Sequence, residues 1–254
     1  MLPLVVVTGA FGRVGAIVRL ALRGQYRLRL VDRVSGPTAA GEEAVVADLA
    51  DPDTGGRVLA GASALIHLAA DGSPFAGWER AFAANVAPLR PLLDAAAAHR
   101  VPKLVLASSV HTMGGYNRPA HHPVDPAWSP RPCCDYGRSK VLVETMGALH
   151  AGRTGASVIS LRLGLTGWPL DQVRYAGMWL SDRDAGSLFL GALRARIGHG
   201  AYFGVSANTR RHWDLTSARA DLGYDPRDDS EPLTASAGPP LDYVCGLFGP
   251  AENP

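Results

Sequence analysis

An α/β fold built on a doubly wound parallel sheet follows from three features of the 254-residue sequence. Short β-branched or apolar runs alternate with amphipathic stretches along the first two thirds of the chain, the pattern of strands joined by crossover helices. The run Val5-Val6-Val7-Thr8 leads directly into three glycines spaced G-x-x-G-x-x-G, Gly9, Gly12 and Gly15, and a helical stretch from Ala16 to Leu22 follows. A second strand, Tyr26 to Val31, ends in the carboxylate of Asp32.

Each glycine of that turn has its own physical reason. Gly9 suits a tight turn, Gly12 removes the Cβ that would keep a pyrophosphate off the main chain, and Gly15 lets the helix pack close to the strand. The helix N-terminus then offers unpaired N–H groups and a partial positive charge to phosphates. With a strand before it, a helix after it and Asp32 downstream, the turn reads as a Rossmann-type dinucleotide site. A carboxylate at Asp32 bonds the adenine ribose hydroxyls and repels a 2′-phosphate, which favours NAD; Arg13 and Arg33 keep NADP as the alternative.

The remaining elements follow in order. A third strand runs from Glu43 to Ala47 and ends in Asp48-Leu49; a short helix spans Asp51 to Ala60; a fourth strand, Ala62 to His67, delivers Leu68-Ala69-Ala70-Asp71 to the sheet edge where ligands bind. Trp78 to Arg100 reads as helix, kinked or broken near Pro88 and Pro91. Val101 to Ala107 is a fifth strand ending in Ser108-Ser109, and a long loop, Met113 to Pro132, follows. Tyr136 to His150 is a helix, Ser157 to Leu163 a sixth strand, and Gly164 to Leu180 a loop without periodicity. A helix from Asp182 to Arg196, a strand near Tyr202 to Val205 and a short helix near Asp214 to Leu222 complete the pattern. We expect one domain, with about 165–226 forming a small C-terminal substrate-binding elaboration and 227–254, polar and rich in Pro and Gly, a loosely held tail.

Composition excludes several function classes. A net charge of +2 with scattered arginines argues against nucleic acid, and no apolar run approaches the roughly 20 residues that span a bilayer. The apolar N-terminus has no basic region before it and reads as a strand rather than a signal peptide, so a cytoplasmic protein is expected. Cys133 and Cys134 are adjacent, which suits neither a disulfide framework nor C-x-x-C zinc spacing. They read as reduced thiols with a structural role, a place in a pocket wall being the alternative. His121-His122 lacks a third ligand at sensible spacing, and no metal is expected.

The chemistry is carried by Tyr136-Gly137-Arg138-Ser139-Lys140. Residues four apart on a helix share a face, so the Tyr136 phenol and the Lys140 ammonium point into one space. A nearby cation favours the phenolate and is expected to lower the phenol from about 10 toward the working pH, where it can exchange a proton with a substrate oxygen. Ser109, at a strand end, can hold that oxygen.

The order and spacing of the glycine turn, the paired serines and this Tyr/Lys pair resemble the extended branch of the short-chain dehydrogenase/reductase superfamily over nearly the whole chain. The resemblance implies a catalytic set of Ser109, Tyr136 and Lys140, Ser109 rather than Ser108 following from motif alignment. It implies a cofactor site of Gly9, Phe11, Gly12, Arg13, Val14, Gly15, Asp32, Arg33, Asp48, Leu49, Leu68, Ala69, Ala70 and Asn85, joined by Tyr136 and Lys140. It further implies a homo-oligomer and a small-molecule substrate.

Within that branch, Ala107-Ser108-Ser109-x-His111-Thr112, Leu161-Arg162-Leu163-Gly164, Arg174 and Trp179-Leu180-Ser181 are similar to the uronate dehydrogenases, which use NAD to oxidise a hexuronic acid at C1. The candidate substrate contacts are then Ser73, Val110, His111, Leu165 and Arg174. Val110 and Leu165 stand where that group carries Asn and Ser, and the loss of two hydrogen-bonding partners points to a different or less polar substrate. Arg174 can clamp a carboxylate or serve a structural salt bridge; His111 can touch substrate or bond only backbone; Asp71 reads as a turn cap, with a place in the pocket as the alternative. Trp168 and Trp179 read as packing. A hydride-transferring oxidoreductase acting on a sugar-like or nucleoside-like metabolite is the leading expectation. The alternatives are a uronate dehydrogenase proper, a nucleotide-sugar epimerase or dehydratase, and a nucleotide-sensing protein with a dead site.

Overall fold

The structure is a computed structural model that describes residues 2–170 and 172–235. Seven strands form one sheet in the order β3-β2-β1-β4-β5-β6-β9, with every neighbouring pair parallel. The strands are β1 (Leu4–Thr8), β2 (Arg27–Asp32), β3 (Glu42–Val46), β4 (Ala64–His67), β5 (Lys103–Ser109), β6 (Ser157–Leu163) and β9 (His199–Gly204). The chain order reverses between β1 and β4, and the carboxyl ends of these strands open the crevice in which a doubly wound sheet binds its ligand. The fold class read from the sequence is thus the observed one.

Helices cover both faces, so the central strands are buried on both sides and read as continuous apolar runs. On one face α1 (Arg13–Leu22), α6 (Asp182–Arg194) and α7 (Thr216–Leu222) pack Ile17, Leu22, Leu188 and Phe189 against Val5, Val7 and Ile159. On the other, α2 (Thr54–Leu59), α4 (Leu89–Ala98) and α5 (Asp135–Thr154) pack Val58, Leu59, Leu92 and Val143 against Val6, Leu65 and Leu104.

The stretch Trp78 to Arg100 breaks rather than kinks. α3 (Trp78–Asn85) ends before Pro88, which takes the N-cap position of α4, and Pro91 falls in the first turn, where its missing N–H costs no helical bond. Helix α5 runs four residues beyond the expected end and stops at Gly155, whose φ of 73° is the left-handed cap.

Two corrections concern the C-terminal third. Residues 164–180, expected as loop, contain two-residue strands β7 (Leu165–Thr166) and β8 (Trp179–Leu180), paired in parallel, and a 3₁₀ turn over Val173–Met178. Pieces this short have no readable period. Residues 227–235, expected in the loose tail, are tied down: the Asp184 carboxylate accepts from the Arg227 and Asp228 N–H groups, and buried Ser230 donates to the Ala176 carbonyl at 3.0 Å. The rest of that expected tail, 236–254, lies outside the described residues. Among the described residues no helix is long and apolar enough to cross a membrane.

Candidate active site

The glycine turn forms because its backbone leaves no room for side chains. Gly9 has φ of 68°, and a Cβ there would lie 2.7 Å from the Ala69 nitrogen. A Cβ at Gly15 would collide with the Ala10 carbonyl. Helix α1 starts at Arg13 with Gly12 as its cap and no side chain accepting from its first N–H groups. Those donors therefore face the crevice without an internal partner, the arrangement that receives a phosphate.

At the end of β2, Asp32 is held by the same turn. Its Oδ2 accepts from the Phe11 N–H at 3.0 Å and its Oδ1 from the Arg33 N–H at 2.7 Å. The Arg33 side chain is exposed. Asp48 is exposed on the loop after β3, with Oδ1 accepting from Ala50 N–H at 2.9 Å, and Leu49 packs beneath it on the core.

A cavity of about 740 Å³ lies along the carboxyl ends of β1, β4, β5 and β6. Of the residues singled out from sequence, Gly9, Gly12, Arg13, Val14, Gly15, Leu68, Ala70, Ser73, Ser109, Val110, His111, Tyr136, Lys140 and Leu165 line it. Phe11, Asp32, Arg33, Asp48, Leu49, Ala69, Asn85 and Arg174 do not. Asn85 stands behind the wall: its Oδ1 accepts from the Asp71 N–H at 2.7 Å, and its Nδ2 donates to the Asp71 carbonyl and to Ser139 Oγ. Every polar atom of its side chain is thus spent on fixing the loop after β4 to α5. Asp71 caps that loop as expected, accepting from the Ser73 N–H at 3.0 Å and pairing with Arg80.

The paired serines at the end of β5 divide their tasks. Ser108 donates to Glu144 Oε1 at 2.5 Å, and Glu144 is gripped by Arg162 through Nε at 2.9 Å and Nη2 at 2.8 Å. This buried trio ties β5, α5 and β6 together under the site. Ser109 lines the cavity together with Tyr136, and its Oγ accepts from the His111 N–H at 3.2 Å. On α5, Lys140 Nζ lies 5.8 Å from the centroid of the Tyr136 ring and donates to the Ala107 carbonyl at 2.9 Å.

The electrostatics depart from the expectation that Lys140 lowers the phenol. Burial pushes Tyr136 up to about 12; the Ser109 hydroxyl opposes this, and the negative charges of Cys134 and Asp71 add to it. Lys140 itself is brought down to about 8 by burial, with Glu144 pulling the other way. Desolvation outweighs the charge pair because both groups leave water together. His67, hydrogen-bonded to Thr8 Oγ1 at 2.8 Å, is held neutral by burial, near 3, and Lys140 pushes in the same direction.

The cavity is also lined by Phe75, Thr166, Tyr175 and Met178, which the sequence did not single out. Trp168, read as packing, is exposed at the mouth, with the Arg13 guanidinium 3.5 Å from its ring centroid. Arg174 is directed elsewhere: its guanidinium lies 4.6 Å from the Tyr175 ring centroid, and its buried Nε has no hydrogen-bond partner among the described residues. His111 meets the Tyr136 ring edge-on at 5.5 Å between centroids, with Nδ1 3.3 Å from Cys133 Sγ and 3.4 Å from Cys134 Sγ. No spacing rule could have joined these three, since 22 residues separate His111 from Cys133.

Known proteins carry the same framework. Residues 5–166 match the model of the NAD dependent epimerase/dehydratase family. The chain is 35% identical over 257 residues to the NAD-dependent glucose-6-phosphate dehydrogenase of Haloferax volcanii, covering 94% of this chain and 98% of that one. It is 33% identical over 256 residues to the uronate dehydrogenase of Pseudomonas syringae pv. tomato, covering 95% and 91%. The structure of a glucuronic acid dehydrogenase from Chromohalobacter salexigens superposes with a TM-score of 0.88 at 31% identity, over 98% of this chain and 97% of that one. A glycine turn on an uncapped helix, the strand order and this extent of match together establish that the chain belongs to the NAD dependent epimerase/dehydratase family.

Proposed function

We propose that this protein is an NAD-dependent dehydrogenase that oxidises a hydroxyl-bearing carbon of a small sugar. The observation that carries the reading is the meeting of Ser109, Tyr136 and Lys140 in one cavity that the glycine turn also lines. A dinucleotide fits the residues present: Gly9 lets the turn pack against Ala69, the uncapped start of α1 would receive phosphate, and Asp32, its carboxylate fixed by two N–H donors, would bond the ribose hydroxyls. When bound, its nicotinamide supplies the hydride acceptor. The carboxylate of Asp32 favours NAD over its 2′-phosphorylated form.

In oxidation Ser109 holds the substrate hydroxyl and the Tyr136 Oη takes its proton. Tyr136 rests protonated at neutral pH, so it first passes its own proton toward solvent, and the Lys140 charge steadies the phenolate that results. Lys140 spends one N–H on the Ala107 carbonyl, which fixes its head and leaves two donors.

The wall beside Tyr136 points to the substrate class. Val110, Leu165, Tyr175 and Met178 make it apolar, with Ser73, His111 and Thr166 as the polar contacts, and Arg174 is turned onto Tyr175. A neutral sugar suits this set better than a uronate, whose carboxylate needs a cation. The uronate reading keeps its own support in the similarity to uronate dehydrogenases over nearly full length. Absorbance of reduced nicotinamide, followed with NAD and a panel of glucose, arabinose, glucose 6-phosphate, glucuronate and galacturonate, tests both levels. Turnover of the neutral aldoses ahead of the uronates is expected. Uronate turnover that is fastest and is lost in Arg174→Ala would overturn the substrate assignment, and no turnover of any sugar with either dinucleotide would overturn the reaction.

A further inference from the structure

Behind the wall that His111 contributes to the cavity, its Nδ1 converges with the sulfurs of two cysteines that the proposed reaction does not use. His111 Nδ1, Cys133 Sγ and Cys134 Sγ all lie within 4.8 Å of one another. The two sulfur-to-nitrogen distances are 3.3 and 3.4 Å. A tetrahedral zinc with Zn–S near 2.3 Å and Zn–N near 2.0 Å sets a ligand sulfur and nitrogen about 3.5 Å apart, and two sulfurs about 3.8 Å apart. The sulfur–nitrogen distances already match to within about 0.2 Å, and the two sulfurs, within 4.8 Å of each other, need to close by up to about 1 Å to share one ion.

We propose that His111, Cys133 and Cys134 form a binding site for a soft divalent cation, with Zn²⁺ as the natural occupant and Co²⁺ as its spectroscopic substitute. Two thiolates and an imidazole are the donor set that selects zinc over the hard cations, and three protein ligands leave a fourth position for water. The elements around the site favour the thiolate forms. Cys134 is the N-cap of the 20-residue helix α5 and its sulfur accepts from the Gly137 N–H at 3.4 Å, so the helix dipole and a backbone donor both support negative charge there. Cys133 is buried, whereas Cys134 and His111 are half-buried, which gives an ion a path from solvent. Binding releases the thiol protons and replaces the present sulfur–imidazole contacts by bonds to the metal.

Occupation reaches the active site through His111. A cation bound at Nδ1 leaves the imidazole proton on Nε2 and pins the ring toward the cysteines, while the same ring forms part of the cavity wall and meets Tyr136 edge-on. Metal is therefore expected to weaken sugar binding, raising KM more than it lowers kcat. That consequence rests on the dehydrogenase reading; the binding itself does not.

The test uses the full-length protein, reduced and stripped of metal, titrated with Co²⁺ and then Zn²⁺. One equivalent of Co²⁺ should give thiolate-to-cobalt charge-transfer absorption in the near ultraviolet, and Zn²⁺ should abolish it by displacement. Cys134→Ser keeps a good helix cap and should weaken binding by about tenfold or more, as should Cys133→Ser, whereas Cys245→Ser, at the one other cysteine of the sequence, should change nothing. Absence of the band, its survival in the Cys133→Ser/Cys134→Ser double variant, or its loss in Cys245→Ser would overturn the site. In the activity arm, Zn²⁺ should raise KM in the wild type and not in Cys134→Ser. A protein that binds Co²⁺ as described yet oxidises no sugar upholds the metal site and removes the dehydrogenase reading.

Discussion

Glu144→Ala is the perturbation whose size follows most directly from the structure. Glu144 is buried, and its carboxylate takes two hydrogen bonds from the equally buried Arg162 guanidinium and one from Ser108. Arg162 has one further acceptor, the Pro126 carbonyl at 2.9 Å. Removing the carboxylate leaves a buried guanidinium without its counter-charge, a change that typically costs about 3–5 kcal/mol. For a chain of this length each kcal/mol lowers the melting temperature by roughly 2–4 °C, so a fall of about 6–20 °C is expected. Thermal unfolding followed by circular dichroism measures it. Glu144 also raises the affinity of Lys140 for its proton, so the variant should carry a Lys140 that titrates still lower than in the wild type. The paired change Glu144→Leu with Arg162→Met removes both charges and should recover most of the loss, because an apolar pair of similar volume costs little where an orphaned charge costs much. A fall of less than about 2 °C in Glu144→Ala would refute the reasoning, since it would mean that Arg162 is already solvated or otherwise paired.

Three further outcomes are expected. Asp32→Ala should weaken NAD by about tenfold and shift preference toward the 2′-phosphorylated form, measured by calorimetric titration of both, because a charged acceptor for the ribose is removed. Trp168→Ala should raise the Kd for NAD roughly two- to fivefold through loss of the stacked Arg13, a cation–π contact of about 1 kcal/mol, with no change in melting temperature. In the pH profile, the proposed oxidation needs the Tyr136 phenolate and the charged Lys140. With the first near 12 and the second near 8, kcat/KM should climb by about tenfold per unit from pH 6 and level off above about pH 8, and a fall across that range would contradict the assignment.

Much of this was legible in the sequence, for reasons that are local. Val5 to Gly15 announces strand, turn and helix through β-branched residues and glycines whose backbone roles are fixed by sterics, and β6 matches its expected bounds, Ser157 to Leu163. The Tyr136/Lys140 pair is visible because helical spacing alone puts both on one face. What was illegible depends on long-range placement. Ser108 and Ser109 look alike in the chain, and only Glu144, 36 residues on, draws one away from the site. The sign of the Tyr136 shift is not in the sequence, because spacing reports a neighbouring cation but not the desolvation that overrides it. The motif leaves Arg174 between substrate contact and a salt bridge, and its contact with the Tyr175 ring depends on the 3₁₀ turn that no periodicity predicts. The clustering of His111 with Cys133 and Cys134 has no linear signal.

The central claim is that Tyr136 moves the proton in a nicotinamide-linked oxidation. Tyr136→Phe removes only the phenolic oxygen, so NAD binding by calorimetry should stay within about twofold of wild type while kcat for the best sugar falls by roughly 10²–10⁴-fold. Turnover within a few-fold of wild type in a variant that still binds NAD would contradict the account.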